Sequence, residues 1–398
     1  MSPLLPVYLD NHATTRTDPR VVEAMLPWFT EQYGNASSRE HEYGWKGEAG
    51  VERARAEVAA MVGVAAEEIC FTGGATEAIN LALRGVAEAA PPAATPAAPR
   101  AGSHIISAAT EHRATLDTLD RLREAGLHIQ ILPVDENGLV DPDAVRRAIG
   151  PATILVTIMT ANNEIGTIAP VAEIGAICHE RGVLFHTDAV QAAGRMPIDF
   201  PAWHVDLASL SAHKMHGPKG VGALYVSRKA RAKGIVSQMT GGGHERGLRS
   251  GTLNVPGIVG FGRAASIATL EGVAAMEEAG RLRDRLEAEL RNRLEGVAVN
   301  GSRARRLPVT ASLTFAGARA DRVLQAMRDV AVSTGAACSS AQPEPSHVLR
   351  ALGLDPRAIS ATLRFGLSRF TTDEEITYAV RRVVEAVTEV RSRVRIAI

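Results

Sequence analysis

The sequence predicts an α/β fold in which a mostly parallel sheet is covered by helices on both faces, followed by a smaller α+β domain. Short apolar runs alternate with amphipathic helical stretches between residues 18 and 264, which is the pattern of strand–helix–strand units. From about residue 265 the pattern changes to a long charged helix followed by separated strands and helices. The composition, 45% hydrophobic and 22% charged over 398 residues, fits one large and one smaller globular domain.

The elements follow in order along the chain. Helical periodicity predicts large-domain helices at residues 21–32, 48–62, 115–124 and 171–181. Short apolar runs predict strands at residues 68–71, 105–107, 128–132, 153–159, 183–186, 205–210 and 221–226. In the smaller domain we expect helices at residues 274–294, 321–328 and 371–390, and strands at 309–315 and 362–367. The Ala- and Pro-rich residues 90–100 predict an exposed loop, because proline is excluded from helix interiors.

The bulk chemistry excludes several classes of function. Lysine plus arginine and aspartate plus glutamate both number 44, so there is no electrostatic case for nucleic acid or an anionic membrane surface. We see no signal peptide and no apolar run near the roughly 20 residues that a membrane span needs. Three cysteines argue against a disulfide scaffold and for a reducing compartment, so we expect a cytoplasmic protein. We assign no metal site.

The most informative stretch is Ser211-x-His213-Lys214, which follows a predicted strand and enters a Gly-Pro turn. A lysine amine can form a Schiff base with an aldehyde cofactor, and Ser211 and His213 are donors suited to a phosphate. Asp188 ends another predicted strand, and an aspartate paired with a ring nitrogen is the second mark of a pyridoxal phosphate enzyme. Residues of these types are ordinary on protein surfaces. Because Asp188 and Lys214 each follow a strand of the same α/β sheet, their position favours a ligand site.

Further motifs follow other predicted strands. Gly73-Gly74-Ala75-Thr76 precedes a helix and could cradle an anion, or be an ordinary capped turn. His112 could stack on a planar ring or shuttle protons, or be a structural histidine. Asn163 could bond a ring hydroxyl, or serve a Gly turn. The Gly- and Arg-rich residues 241–252 could be a plain surface loop, unless a phosphate or a partner subunit orders them.

Two residues of the smaller domain have reactive character. Cys338 lies among Gly, Ala and Ser residues with prolines just after, so we expect an exposed, mobile loop with a reactive thiol rather than a buried cysteine like Cys70 or Cys178. Arg364 interrupts an apolar strand. A buried arginine is usually paired, and its partner is either a substrate carboxylate or an internal Asp or Glu.

Together these blocks, in this order over nearly the whole chain, resemble the cysteine desulfurases of the NifS/IscS type, within the class V aminotransferases. The matching blocks include Tyr8-Leu9-Asp10-Asn11-His12, Glu111-His112, Asn162-Asn163-Glu164, His186-Thr187-Asp188, Arg249-Ser250-Gly251-Thr252 and Pro345-Ser346-His347. The resemblance implies the fold-type I architecture of enzymes that use pyridoxal 5'-phosphate (PLP). It also implies a homodimer with a large domain at residues 18–264 and a small domain formed by residues 1–17 and 265–398, carrying a cysteine loop at about residues 332–345.

The resemblance also implies roles for single residues. Lys214 would carry the cofactor and move the substrate Cα proton, Asp188 would pair with the ring nitrogen, and His112 would stack on the ring. Ala75, Thr76, Ser211 and His213 would hold the phosphate, with Thr252 reaching in from the other subunit. Gln191 and Asn163 would bond the ring oxygen and the substrate side, and Arg364 with Asn163 would bind the substrate carboxylate. Cys338 would take the sulfur of L-cysteine as a persulfide, release L-alanine, and pass sulfur to an acceptor protein in iron–sulfur cluster assembly or another transfer route.

Two alternatives remain open at the level of the sequence. Another class V enzyme, such as an aminotransferase or a selenocysteine lyase, would keep Lys214 and Asp188 but would not require the loop around Cys338. A catalytically inactive sulfur-relay or scaffold subunit is the other alternative. The presence of Lys214, Asp188, His112 and Cys338 together argues against it.

Overall fold

The structure is a computed structural model that describes residues 3–90, 103–334 and 345–396. The first half of the chain contains β1 (Val7–Tyr8), α1 (Pro19–Met25), α2 (Pro27–Thr30), α3 (Glu42–Met61), β2 (Ile69–Thr72), α4 (Ala75–Ala89), β3 (His104–Ala108), α5 (Arg113–Glu124), β4 (His128–Leu132), α6 (Pro142–Ala148), β5 (Thr153–Thr157), α7 (Val171–Glu180) and β6 (Leu184–Asp188). Proline at residue 27 divides the helix expected at 21–32 into α1 and α2, since proline cannot continue a helix.

The second half contains β7 (Leu207–Ser211), β8 (Gly222–Val226), α8 (Arg228–Lys233), α9 (Val255–Arg293), β9 (Val297–Val299), β10 (Thr310–Phe315), α10 (Ala320–Ala326), β11 (Val330–Ala331), α11 (His347–Ala351), α12 (Pro356–Ser360), β12 (Thr362–Gly366) and α13 (Asp373–Ile396). The helix expected from residue 274 therefore begins at Val255, where the Asn254 side chain accepts a hydrogen bond from the Gly257 amide at 3.2 Å. Because α9 runs across residues 264 and 265, a continuous helix lies at the expected domain boundary. The division into domains stays a prediction.

The central sheet confirms the α/β prediction. It has seven strands in the order β2-β8-β7-β6-β5-β3-β4, and β8 alone is antiparallel to its neighbours. Three strands of the smaller domain form an antiparallel sheet in the order β12-β10-β9, and β1 pairs in parallel with β11. The carboxyl ends of the parallel strands therefore meet at one edge of the large sheet, where ligands bind in such folds.

Alternate residues of the large-sheet strands enter two different cores. Leu207 and Leu224 point into a cluster with side chains of α4 and α5, such as Leu83 and Leu119. Ala208 of the same strand belongs to the larger core on the other face. Burial on both faces explains why these strands read as continuous apolar runs.

One helix of the described residues, α9, is long and apolar enough to cross a membrane by length and composition. It packs against α1, α3 and α13, and 44% of its most apolar stretch is buried. A helix in the core of a protein passes the same test, so we assign it to the core.

Candidate active site

A cavity of about 490 Å³ opens at the carboxyl edge of the large sheet. Residues that follow β2, β3, β5, β6 and β7 converge there because these strands run in parallel. Its walls include nine residues named from the sequence, Ala75, Thr76, His112, Asn163, Asp188, Gln191, Ser211, His213 and Lys214. Thr252 is exposed and does not line the cavity of its own chain, and Cys338 lies outside the described residues.

Lys214 ends a short 3-10 turn (Ala212–Lys214) directly after β7. Its Nζ donates to the carbonyl oxygens of His12 at 2.6 Å and Ala13 at 2.8 Å. These two carbonyls belong to the N-terminal segment, about 200 residues away in sequence. Two backbone carbonyl oxygens of the N-terminal segment therefore hold the amine at the cavity wall.

Asp188 lies at the end of β6, where only 5% of its surface is exposed. Its Oδ1 accepts a hydrogen bond from the Val190 amide at 2.9 Å. Burial raises the pKa of this carboxyl, whereas His112, the Val190 amide and Lys214 lower it. A buried carboxylate with nearby cationic groups is suited to hold a positive charge on a ligand atom that enters the cavity.

His112 is the N-cap of α5, and its Nδ1 accepts a hydrogen bond from the Ala114 amide at 3.1 Å. The cap fixes the ring against the cavity.

The preceding residue, Glu111, is fully buried, and its Oε1 accepts from the Met159 amide at 2.7 Å. Within the described part of the chain its Oε2 has no hydrogen-bond partner. Burial raises the pKa of Glu111 well above its usual range, and the Met159 amide opposes this shift.

The turn after β2 can hold an anion. Helix α4 begins at Ala75 without a side-chain cap, which leaves the amides of its first turn for a ligand. A Cβ on Gly222 of β8 would lie 2.6 Å from the Leu210 carbonyl oxygen and 2.7 Å from the Gly74 carbonyl carbon, so only glycine lets β8 approach this turn. Burial, and then Lys214, lowers the pKa of His213 to about 4, so at pH 7 its ring is neutral.

Arg364 of β12 is 2% exposed but is not a wall of the cavity. Its Nη2 donates to Asp10 Oδ1 at 2.9 Å, and its Nη1 donates to the Asn163 carbonyl oxygen at 2.9 Å. Of the two partners expected from the sequence, the structure therefore contains the internal carboxylate. The arginine reaches the cavity through Asn163, which does line it.

Sequence reasoning did not single out the residues that surround Gln191. Its Nε2 donates to the His12 carbonyl oxygen at 3.2 Å, and its Oε1 accepts from Arg195. His12 also lines the cavity, and its Nε2 lies 2.6 Å from Thr310 Oγ1. Burial lowers the pKa of Arg195 to about 10. The sequence signal for His12 was present in the block Asp10-Asn11-His12, whereas Arg195 follows a turn that has no motif.

Comparisons with known proteins agree with this fold. The family described as "Aminotransferase class-V" matches residues 7–378. The chain is 51% identical over 387 residues to cysteine desulfurase IscS of Anaeromyxobacter sp. (strain Fw109-5), covering 97% of this chain and 94% of that one. It is 44% identical over 388 residues to cysteine desulfurase IscS of Rickettsia bellii (strain OSU 85-389), covering 98% and 92%.

Solved structures give the same result. A structure described as a NifS-like protein superposes with a TM-score of 0.88 at 37% identity, covering 98% of this chain and all of that one. One described as SspA in complex with cysteine superposes with a TM-score of 0.79 at 34% identity, covering 92% and 99%. Fold and site together define a class-V aminotransferase, and the chain belongs to that family. Within the family it belongs to the cysteine desulfurases of the NifS/IscS type, which confirms the resemblance inferred from the sequence.

Proposed function

We propose that this protein is a PLP-dependent cysteine desulfurase that converts L-cysteine to L-alanine and transfers the sulfur to Cys338. The observation that carries the proposal is that Lys214 and Asp188 line the same cavity, in a chain 51% identical to a cysteine desulfurase. The SspA structure that resembles this chain is described as a complex with cysteine, which supports cysteine as the substrate.

The residues present fit PLP. The uncapped start of α4, with Ser211 and His213 beside it, offers donors for a phosphate, and Asp188 offers a buried carboxylate for the ring nitrogen. When bound, PLP supplies an aldehyde that links to amines and a ring that accepts electrons from the substrate Cα. Ala75, Thr76, Gln191 and His112 complete the proposed cofactor contacts.

Each residue of the site has a separate proposed role in the reaction. Lys214 Nζ, held by the carbonyl oxygens of His12 and Ala13, removes the Cα proton and returns protons to the product. Asp188 stabilises positive charge at the ring nitrogen and so favours loss of that proton. Asn163, whose carbonyl oxygen accepts from Arg364, lies where a substrate carboxylate could be bound, and Arg364 supplies the counter-charge.

Cys338 is the proposed sulfur acceptor because the resemblance to cysteine desulfurases implies it and because the two cysteines of the described residues are buried. Cys70 is 1% exposed and Cys178 is fully buried. Burial raises the pKa of the Cys70 thiol and raises that of Cys178 to about 12, so neither forms a thiolate at neutral pH. The Cys338 thiolate forms an S–S bond to the substrate sulfur. The Cβ–S bond breaks with its electrons left on carbon, and a proton completes the methyl group of L-alanine.

The test of this function is the mass of the purified protein after brief exposure to L-cysteine without reductant. We expect one added sulfur per chain, and peptide mapping is expected to find it on the peptide with Cys338. Alanine should appear in parallel. Alanine without any added sulfur would favour a selenocysteine lyase type of reaction, and sulfur on Cys70 or Cys178 would contradict the assigned nucleophile.

The proposed assembly is a homodimer. Helices α1, α2 and α3 all pack on α9, and these elements carry large apolar side chains that are more than half exposed. They are Phe29 at 58%, Trp45 at 54%, Leu270 at 78% and Val273 at 65%, and Leu26, between α1 and α2, is 59% exposed. Exposed apolar groups on neighbouring elements are typical of an interface, and a second copy would cover them. The exposed Thr252 would then be free to reach the partner's cavity.

Sedimentation equilibrium tests the dimer. We expect a species of twice the 42.2 kDa chain mass. Combining Phe29→Asp with Leu270→Asp should raise the dimer dissociation constant by on the order of 100-fold, because two apolar contacts become buried charges. The control is Ile131→Asp on β4, at the edge of the sheet, where the side chain is also exposed. A monomeric wild type, or equal effects of both changes, would contradict the proposal.

The remaining proposals concern the cell. A sulfur-acceptor protein, such as an iron–sulfur scaffold or another sulfur carrier, would accept the persulfide sulfur of Cys338. We place the enzyme in the reducing cytoplasm because Cys70 and Cys178, the cysteines of the described residues, are both free thiols.

A further inference from the structure

The anion-binding turn contains an acidic side chain of its own. Glu77 lies in the first turn of α4 and lines the cavity. Its Oε2 accepts a hydrogen bond from the Gly73 amide at 2.8 Å, which fixes the turn between β2 and α4. A carboxylate at this position stabilises the helix, but it also repels a second anion at the same amides.

Arg249 pairs with this carboxylate. Its Nε donates to Glu77 Oε1 at 2.8 Å, and the two side chains are only 19% and 28% exposed. Across the described ranges, Arg249 is the one cation in ion-pair distance of Glu77. Because both side chains are largely buried, solvent screens the Glu77 charge poorly, and Arg249 compensates it.

The loop that carries Arg249 is attached to α3 by a buried ion pair and to β2 by a backbone hydrogen bond. Glu245 accepts two hydrogen bonds from Arg55, at 2.7 and 2.8 Å, and its Oε2 also accepts from the Phe71 amide at 2.7 Å. The side chains of Arg55 and Glu245 are 3% and 1% exposed.

The backbone of this loop is also specialised. Glu245 and Arg246 have φ values of 49° and 56°, in the left-handed region that non-glycine residues rarely adopt. Such strain persists only where surrounding contacts hold it, and the Arg55 contacts do so here. The loop is therefore fixed to the same strand that leads into the turn at Gly73, which explains how it presents Arg249 to Glu77.

We propose that Glu77 and Arg249 are positioning residues for the cofactor phosphate. Glu77 shapes the turn through the Gly73 amide, and Arg249 cancels the negative charge that Glu77 would otherwise direct at the phosphate. The proposal rests on the proposed function, since it takes the anion at this turn to be the phosphate of PLP. Residues 241–252 thus influence the phosphate site of their own chain through Glu77, without touching the ligand.

The test compares two ligands that differ only in the phosphate. Apoprotein is titrated with PLP and with pyridoxal, and binding is followed by absorbance. Arg249→Gln should weaken PLP binding about tenfold, the scale of a charge-assisted contact, and change pyridoxal binding less than about twofold. The matched control is Arg246→Gln, which removes the same charge from the same loop but from a side chain that pairs with Glu52 instead. It should change neither affinity more than about twofold.

A second variant separates charge compensation from simple structural support. Adding Glu77→Gln to Arg249→Gln should restore PLP affinity to within about threefold of the wild type, because the uncompensated charge is gone while an amide oxygen can still accept from Gly73. A merely structural pair would lose more affinity in the double variant.

The outcomes distinguish this inference from the proposed function. Equal losses for PLP and pyridoxal, no loss in Arg249→Gln, or no rescue by Glu77→Gln would each overturn it. Should Arg249→Gln not fold, the single variant Glu77→Gln decides, because it should bind PLP at least as tightly as the wild type and a tenfold loss would overturn the inference. Failure of the wild type to bind PLP would instead contradict the proposed function.

Discussion

Replacement of Lys214 by alanine is expected to lower alanine formation from L-cysteine by at least about 10⁴-fold. The change removes both the amine that links the cofactor and the group proposed to move the Cα proton, and each contribution is large. Two backbone carbonyls hold Nζ at the cavity wall, so alanine leaves a gap rather than a misdirected charge. Borohydride reduction of PLP-loaded protein should give a covalent adduct in the wild type and none in Lys214→Ala.

The matched control for this experiment is Lys219→Ala. Lys219 also lines the cavity but is exposed, and we interpret it as a surface lysine. The adduct should survive in this variant, and alanine formation should stay within about threefold of the wild type. An adduct that persists in Lys214→Ala and disappears in Lys219→Ala would show that Lys219 links the cofactor, and would contradict the assignment of Lys214.

Asp188→Asn is expected to lower activity without lowering the stability of the apoprotein. Asparagine keeps the shape and can still accept from the Val190 amide, but it cannot balance a charge on the ring nitrogen. We expect alanine formation to fall about 10³-fold. Because burial raises the pKa of Asp188, the folded apoprotein holds this carboxylate at a cost at neutral pH, and asparagine should leave stability unchanged or increase it.

The sign of the pH dependence follows from the direction of that shift. With the folded pKa above the unfolded value of about 4, the cost of Asp188 is present at neutral pH and disappears as the pH falls below about 4, where both states are protonated. Urea denaturation of apoprotein at pH 7.5 and at lower pH checks this difference between wild type and variant.

Asp206→Asn is the control for a buried aspartate outside the site. Asp206 precedes β7, at the opposite edge of the sheet, where Oδ2 accepts from Lys229 Nζ at 2.9 Å and from the Phe185 amide at 3.0 Å. Loss of the Asp206 carboxylate should reduce the stability of the protein and leave alanine formation within about threefold of the wild type. Asp188→Asn with full activity, or with the stability loss expected of Asp206→Asn, would contradict the role proposed for Asp188.

Much of the fold follows from local sequence. The strand runs at residues 105–107, 128–132 and 205–210 correspond to β3, β4 and β7, because short apolar runs between turn residues favour strands. The start of α9 did not follow, since Gly257, Gly260 and Gly262 weaken the helical signal. Its first turns are helical because they pack on α1 and α3, with Gly262 against Ala54.

The sequence by itself determined the fold class, the family and the residues proposed for chemistry. This was possible because the carboxyl ends of parallel strands meet at one edge of a sheet. Asp188 and Lys214 each follow such a strand, so the sequence alone places them at the same edge. Only the tertiary structure decided the partners. Arg364 pairs with Asp10 across 354 residues, and Arg55 pairs with Glu245 across 190. Such contacts depend on how distant elements pack in three dimensions, and no local pattern of hydrophobicity or turn residues encodes them.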